Sequence, residues 1–216
     1  LASGGNKTRK LEFLVGDALQ QGADMLVTQG AVQSNHVRQT AAAACRVGLK
    51  CHALLERRGP DRAPDYEKTG NVFLDKLFGT TIEFRPSGLD MNAEAEAAAE
   101  KLRAEGHRLY FIPGGGSNAI GALGYVSCAQ EIIVQSKAMA INFDWIVMAT
   151  GSTGTQAGLV AGLHALGSSL PVMGVSVRQK HDHQVKAVSA LVERTLTKLG
   201  VDGNAGTKVL VDDGYV

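Results

Sequence analysis

Aromatic residues and charge of one sign are both scarce in this sequence of 216 residues. Aromatic residues make up 5% of the chain and the formal net charge is +1, so no strong field is expected to attract nucleic acid or a membrane surface. No run of about 18 apolar residues occurs, which predicts that no helix spans a membrane. No secretory signal is visible. These absences favour a cytoplasmic protein without nucleic-acid or membrane partners.

Cysteine is also rare, and the sequence shows neither a C-x-x-C motif nor a set of metal ligands. Cys45, Cys51 and Cys128 form no C-x-x-C pair, and their apolar surroundings predict buried, reduced thiols. The "HDH" run at 181–183 has no cysteine or carboxylate set at the spacing of metal ligands. No metal site is therefore expected.

Apolar residues and glycine are plentiful, and they alternate in a regular rhythm along the chain. Hydrophobic residues make up 44% of the sequence, with 26 glycines. Segments with the 3.6-residue period of helices, such as "TRKLEFLVGDALQQG" (8–22) and a helix over 90–106 that Asn92 can cap, alternate with short apolar strands. The strand "FDWIVMAT" (143–150) is continuously apolar and is expected to be buried on both faces. This alternation predicts an α/β fold with mainly parallel sheets.

Ligands of open α/β sheets bind beyond the carboxyl ends of the strands, so the loops between strands and helices are the places to search. The loop "GSTGT" (151–155) follows a strand and opens a helix, which directs backbone N–H groups at one point. It matches neither a dinucleotide fingerprint nor an NTP-binding P-loop. The pattern suits the phosphate of a small cofactor, although an ordinary tight turn gives the same local sequence.

Two further loops carry an excess of polar or small residues. In "TQGAVQSNHVRQT" (28–40), four consecutive polar residues (Gln33, Ser34, Asn35 and His36) stand where a helix cap needs only one. Such a cluster could hold a substrate carboxylate. In "IPGGGSNAIGALGYV" (112–126), three glycines after a strand allow close backbone approach to a ligand, or simply form a loose connection.

The fourth loop, "GGNKTRKLEFL" (4–14), raises the question of a reactive lysine. Lys7 and Lys10 lie three residues apart and share a helix face. A lysine that is desolvated or near a second cation becomes a nucleophile for a Schiff base. On local grounds alone, a solvated basic first turn is the favoured explanation of the pattern.

Together the four loops resemble one family. The segments "GGNKTRKLEFL", "QSNHVRQTAAAA", "IPGGGSNAIGALGYV" and "ATGSTGTQAG" are similar to the pyridoxal-phosphate enzymes that comprise D-cysteine desulfhydrase, L-cysteate sulfo-lyase and 1-aminocyclopropane-1-carboxylate (ACC) deaminase. The resemblance implies fold type II, with two three-layer domains, and a homodimer. It also implies a chain truncated at both ends, with a small domain at 21–118 inserted between large-domain parts at 1–20 and 119–216.

The resemblance also implies roles for individual residues. Lys7 matches the lysine that forms a Schiff base with pyridoxal phosphate, and Lys10 a second charge on its phosphate. Asn35 matches the asparagine that bonds the ring hydroxyl of the cofactor, and Ser34 a serine suspected in substrate binding and proton transfer, with Gln33 and His36 beside it. The phosphate cup is matched by Gly151, Ser152, Thr153, Gly154 and Thr155.

The expected reaction is an α,β-elimination from a small amino acid. ACC deaminases typically have "QSNQ" and "CSDHP" where this sequence has "QSNH" and "GGSNA", so the match favours the group of D-cysteine desulfhydrase and L-cysteate sulfo-lyase. The motifs do not separate these two, and D-cysteine desulfhydrase is the expected activity. L-cysteate sulfo-lyase is the first alternative and ACC deaminase the second. A non-catalytic protein that binds a phosphometabolite is the alternative from another class.

Overall fold

A computed structural model describes residues 2–59, 63–201 and 206–216 of the chain. The chain divides into two compact units, unit 1 at residues 1–116 and unit 2 at residues 117–216. The first helix falls in unit 1, and the boundary lies two residues before the predicted one at 118. The assignment of 1–20 to the large domain stays a prediction.

Unit 1 alternates helices and strands in the predicted order. Its elements are α1 (Thr8–Gln20), β1 (Met25–Ala31), α2 (Asn35–Arg46), β2 (Lys50–Glu56), α3 (Gly70–Leu77), β3 (Thr81–Arg85), α4 (Met91–Ala104), β4 (Leu109–Ile112) and a 3₁₀ turn (Gly114–Gly116). The four strands form a parallel sheet in the order β3-β2-β1-β4.

Both faces of this sheet are covered, because neighbouring strand residues point to opposite sides. On one side, Ala53 and Leu55 of β2 pack with Val37 of α2 and Val72 of α3. On the other side, Leu54 packs with apolar residues of α4. Unit 1 therefore has the three predicted layers.

Unit 2 has three strands and three helices among its described residues, again alternating. These are α5 (Ala119–Ala138), β5 (Ile146–Thr150), α6 (Gly154–Ala165), β6 (Val172–Ser176), α7 (His181–Leu199) and β7 (Leu210–Asp212). The strands pair in parallel in the order β5-β6-β7. The predicted α/β class with parallel sheets is confirmed.

The expectation that β5 is buried on both faces is wrong. Ile146 and Met148 pack against the apolar cluster formed by α5, α6 and α7, whereas Val147 is 65% exposed. The three helices cover one face of the strand, so alternate side chains on the other face remain accessible among the described residues.

Two local predictions also need correction. The cap of α4 is Asp90, whose carboxylate accepts the N–H groups of Asn92 and Ala93; Asn92 instead accepts a hydrogen bond from Gln29 at 2.9 Å. Cys51 is buried, but Cys45 is exposed because it lies on the outer side of the last turn of α2.

The described residues were also searched for membrane helices and metal sites. In that part of the chain, no helix is both long and apolar enough to cross a bilayer. Nor do three or more histidine, cysteine, aspartate or glutamate side chains cluster there in a way that could hold a metal ion.

Candidate active site

Lys7 stands at the start of α1, shortly after two glycines with positive φ. Gly4 and Gly5 have φ values of 76° and 132°, which L-residues with a side chain rarely adopt. The Lys7 side chain is half-buried, and its Nζ donates to Oδ1 of Asn6 at 2.8 Å. Burial lowers the pKa of the Lys7 amine. A larger share of this amine is therefore neutral, and only the neutral form is nucleophilic.

A glutamine from another helix caps α1. The buried side chain of Gln39, in α2, accepts the backbone N–H groups of Lys7 at 3.1 Å and Thr8 at 3.2 Å. Its Nε2 donates to the carbonyl of Asn35 at 2.8 Å. Gln39 therefore satisfies N–H groups that a helix start leaves without an intrahelical partner, and it ties the Lys7 backbone to the start of α2.

Ser34 begins α2 as its cap. Its hydroxyl oxygen accepts the N–H of Val37 at 3.3 Å, which is the expected role of serine at this position. Accepting this bond leaves the hydroxyl proton able to donate to another group. The side chain is partly exposed, so a ligand can reach it.

Asn35 follows as the first residue of α2, and it is exposed. Its Oδ1 accepts hydrogen bonds from Arg38 Nη2 at 3.2 Å and from Asn71 Nδ2 at 3.3 Å. In the part of the chain that the structure describes, its Nδ2 donates to no other residue. The amide therefore presents a donor to solvent or to a ligand.

Gln33 holds the other side of this loop. Its Nε2 donates to the carbonyls of Tyr66 at 2.6 Å and Thr69 at 3.0 Å, and its Oε1 accepts the N–H of Asn71 at 2.8 Å. Gly70 leaves room for this amide, since a Cβ there would lie 2.6 Å from Gln33 Oε1. The Gln33 side chain thus joins the loop to the start of α3.

His36 points inward, to the sheet. Its Nε2 lies 2.8 Å from the hydroxyl of Thr28, and that hydroxyl donates to the carbonyl of Ile112 at 2.8 Å. The hydroxyl proton is thus already used, so the imidazole must donate from Nε2. Burial, with the positive charges of Lys10 and Lys7, lowers the pKa of His36 to about 3.

Lys10 lies one turn after Lys7 and is fully buried. Its Nζ donates to the carbonyl of Gly115 in the 3₁₀ turn at 3.0 Å. Burial first, and the charge of Lys7 second, lower the pKa of the Lys10 amine to about 7. A nearby anion would raise this pKa again by favouring the charged form.

The loop at 151–155 lies in unit 2, between β5 and α6. Gly151 is tightly packed, since a Cβ there would come 2.9 Å from Cγ2 of Val177. The residue that precedes α6 does not cap it with its side chain, so N–H groups at the helix start add to the helix dipole as a site for an anion. The N–H of Gly154 is an exception, because it donates to Ser117 Oγ at 3.2 Å.

Comparison with known proteins decides the family. The model of the pyridoxal-phosphate dependent enzyme family matches residues 1–210. The chain belongs to this family. It is 47% identical over 215 residues to D-cysteine desulfhydrase of Yersinia enterocolitica, covering all of this chain and 65% of that relative. The chain therefore spans less than two thirds of the length of that protein.

Solved structures confirm the fold. A crystal structure of an ACC deaminase homologue superposes with a TM-score of 0.84 at 38% identity, over 96% of this chain and 62% of that one. A crystal structure of O-ureido-L-serine synthase superposes with a TM-score of 0.64 at 18% identity, over 97% and 65% of the two chains. The predicted fold type II is thus the fold of this chain.

The donor set fits pyridoxal phosphate, the cofactor that the family name implies. The cofactor has an aldehyde, a ring oxygen and a phosphate. The chain offers an amine with lowered pKa at Lys7, an amide donor at Asn35, and N–H and hydroxyl groups in the loop at 151–155. At Gly151 there is no room for a side chain, which suits a position where the backbone approaches a ligand closely.

The structure brings six of the predicted site residues together in unit 1, namely Lys7, Lys10, Gln33, Ser34, Asn35 and His36, and the phosphate loop lies in unit 2. The predicted roles of all these residues remain predictions. Sequence reasoning missed Gln39, Arg38 and Asn71. The sequence marks these three residues only as polar side chains. Gln39 and Arg38 lie in an alanine-rich helix, and Asn71 lies at the start of a helix.

Proposed function

We propose that the protein to which this chain belongs is a pyridoxal-phosphate-dependent carbon–sulfur lyase that converts D-cysteine and water into pyruvate, sulfide and ammonia. One observation carries the proposal: Lys7 has a half-buried amine with a lowered pKa, and Gln39 bonds both the backbone N–H of Lys7 and the carbonyl of Asn35. The 47% identity to a D-cysteine desulfhydrase supports the choice of substrate.

Pyridoxal phosphate supplies an electron sink that stabilises the charge left when a proton departs from the substrate Cα. In this proposal Lys7 holds the aldehyde carbon, and Asn35 donates to the ring oxygen. Lys10 and the loop of Gly151, Ser152, Thr153, Gly154 and Thr155 hold the phosphate. Lys10 then becomes charged, since a phosphate dianion offsets the cost of burying its ammonium.

Lys7 and Ser34 are the two groups proposed to move the Cα proton, and the handedness of the substrate decides which one acts. The Lys7 amine has a lowered pKa and, in its free form, would serve as the base for this proton. The Ser34 hydroxyl accepts the N–H of Val37, and this bond stabilises negative charge on its oxygen.

The loop at 33–36 is proposed to bind the substrate carboxylate. Ser34 and Asn35 reach the ligand directly, because both are accessible. Gln33 and His36 support the loop from inside through Thr69 and Thr28.

We also propose that the whole protein is a cytoplasmic homodimer. Size-exclusion chromatography with light scattering tests the dimer.

Absorbance tests the cofactor assignment. The full-length protein is expected to be yellow, with a band near about 410–430 nm that borohydride removes. The change Lys7→Ala should abolish this band, whereas Lys101→Ala, which removes an exposed lysine of α4, should keep it. A band that survives in Lys7→Ala rules out Lys7 as the attachment point, and a colourless wild-type protein rules out the cofactor.

Product analysis tests the substrate. The full-length protein is incubated in parallel with D-cysteine, L-cysteate and ACC, and keto acid, sulfide and sulfite are measured. We expect pyruvate and sulfide from D-cysteine. Pyruvate and sulfite from L-cysteate alone, or 2-oxobutyrate from ACC alone, would assign the protein to one of the other two activities.

A further inference from the structure

The amide of Asn35 is exposed, yet it is held in one orientation. Its Oδ1 accepts two hydrogen bonds, from Arg38 Nη2 at 3.2 Å and from Asn71 Nδ2 at 3.3 Å. Rotating the amide by half a turn would place its NH₂ group against these donors. Because neither a guanidinium nor an amide NH₂ can accept a hydrogen bond, that orientation is disfavoured.

Both residues that hold Asn35 are themselves fixed. Arg38 is 5% exposed, and its guanidinium also donates to the carbonyls of Ala2 and Gly4. Asn71 donates from Nδ2 to the carbonyl of Gln33 at 2.9 Å, and its backbone N–H reaches Gln33 Oε1 at 2.8 Å. The two donors therefore cannot turn away from Asn35 without losing other bonds.

We propose that Arg38 and Asn71 are positioning residues that keep the Asn35 NH₂ group directed at the ring oxygen of the cofactor. The inference rests on the function proposed above, in which Asn35 donates to that oxygen. It gives Asn71 a role in cofactor affinity although its own side-chain amide is occupied within the loop.

Asn71 gives the sharper test, since Arg38 also holds the glycine-rich segment before Lys7. In the full-length protein stripped of pyridoxal phosphate, the dissociation constant of the cofactor is measured by absorbance titration. We expect Asn35→Ala and Asn71→Ala each to weaken binding about five- to tenfold, the loss of roughly one hydrogen bond.

A double-mutant cycle separates positioning from general support of the loop. If Asn71 acts through Asn35, then Asn71→Ala should weaken binding less than about twofold in an Asn35→Ala background. If the two effects multiply to about 25-fold or more, Asn71 acts independently of Asn35 and the inference is overturned. Asn71→Asp, which keeps the shape but cannot donate, repeats the cycle should the alanine variant not fold.

The visible absorbance band provides a second readout. It also distinguishes a failure of the positioning role from a failure of the proposed function. Hydrogen-bond donation to the ring oxygen stabilises its anionic form, so Asn35→Ala and Asn71→Ala, which add no charge, should shift the pH dependence of the band in the same direction. A shift in only one of them contradicts the inference. If the wild-type protein binds no pyridoxal phosphate, the proposed function itself fails; if it binds and the cycle is additive, only the positioning role fails.

Discussion

The side-chain oxygen of Gln39 accepts the backbone N–H of Lys7 at 3.1 Å, across 32 residues of sequence. The same oxygen accepts the N–H and the hydroxyl of Thr8. A helix start that is normally capped by its own chain segment is here capped by a neighbouring helix. The position of Lys7 thus depends on how α1 and α2 pack within unit 1.

Removing this cap should affect both stability and cofactor binding. Gln39→Met keeps the volume but leaves the partly buried N–H of Lys7 without its side-chain acceptor, and leaves that of Thr8 only its 3.4 Å bond to the Gly5 carbonyl. We therefore expect the free energy of unfolding to fall by about 1–3 kcal/mol. Binding of pyridoxal phosphate should weaken as well, because Lys7 loses its anchor. Urea unfolding and absorbance titration measure the two effects.

The control for this prediction is Thr195→Val in α7. Thr195 is buried and its hydroxyl donates to the carbonyl of Leu191 at 2.7 Å. We expect this variant to lose stability with unchanged cofactor affinity. If the two variants lose similar stability and also weaken cofactor binding to the same extent, then the cap has no specific role in positioning Lys7.

Gly5 should tolerate a side chain less well than its neighbour Gly4. Both have positive φ, so alanine is strained at either position. A Cβ at Gly5 would lie 2.4 Å from Gln39 Nε2, whereas one at Gly4 meets nothing within 4 Å. Gly5→Ala should therefore lower the thermal midpoint and the cofactor affinity more than Gly4→Ala; equal effects would mean that backbone strain alone matters.

Much of the fold was predictable because its signals are local. The period of apolar residues located the helices and strands, and the loops after β1 and β5 followed from their order. The predictions that were wrong concern features that depend on tertiary surroundings. Asp90 and Asn92 are both good caps, and the extended backbone at Asp90 decides between them. Exposure of Val147 depends on which face of β5 the helices cover.

The site was predictable only in part, for the same physical reason. Resemblance pointed to Lys7 and Asn35. The residues that orient them were not predictable, because the value of a polar side chain inside a helix depends on partners far away in sequence. Gln39 and Arg38 act on the segment before α1, and Asn71 acts on the loop before α2.

Asp75 should make stability depend on pH. It is fully buried in α3, and neither carboxylate oxygen has a hydrogen-bond partner among the described residues. Burial raises its pKa from 3.8 to about 7, against an opposing effect of Arg38. The folded state therefore keeps a proton that the unfolded state releases, so the contribution of Asp75 to stability should fall as the pH rises from about 4 to about 7. The neutral, buried His36 contributes in the opposite direction over much of this range, so the effect of Asp75 is read from the difference between wild type and an Asp75 variant.

The variant Asp75→Asn should remove the contribution of Asp75, so its stability should rise relative to the wild type as the pH rises from about 4 to about 7. At a pH of about 8 it avoids a buried carboxylate, and we expect it to be more stable than the wild type by about 2–4 kcal/mol; at a pH of about 4 the two should be nearly equal. Urea unfolding across this range measures the difference. Asp144→Asn, which removes an exposed charge, should show no pH-dependent difference from the wild type. If the difference between Asp75→Asn and the wild type is the same at every pH, Asp75 does not titrate in this range.

The glycines of helices α6 and α1 differ in how much space a side chain would have. In α6, a Cβ at Gly158 would lie 2.3 Å from the carbonyl oxygen of Ala122, and one at Gly162 would lie 2.8 Å from Cα of Val126. These contacts are with the backbone of α5, which cannot move aside easily. In α1, a Cβ at Gly16 meets nothing within 4 Å.

Alanine substitution should therefore destabilise α6 and stabilise α1. We expect Gly158→Ala to lower the free energy of unfolding by about 1–3 kcal/mol through overpacking, and Gly16→Ala to raise it by about 0.5–1 kcal/mol through helix propensity. Urea unfolding of both variants measures the difference. A stabilising Gly158→Ala would mean that α5 and α6 pack less closely than described, since propensity alone favours alanine at both positions.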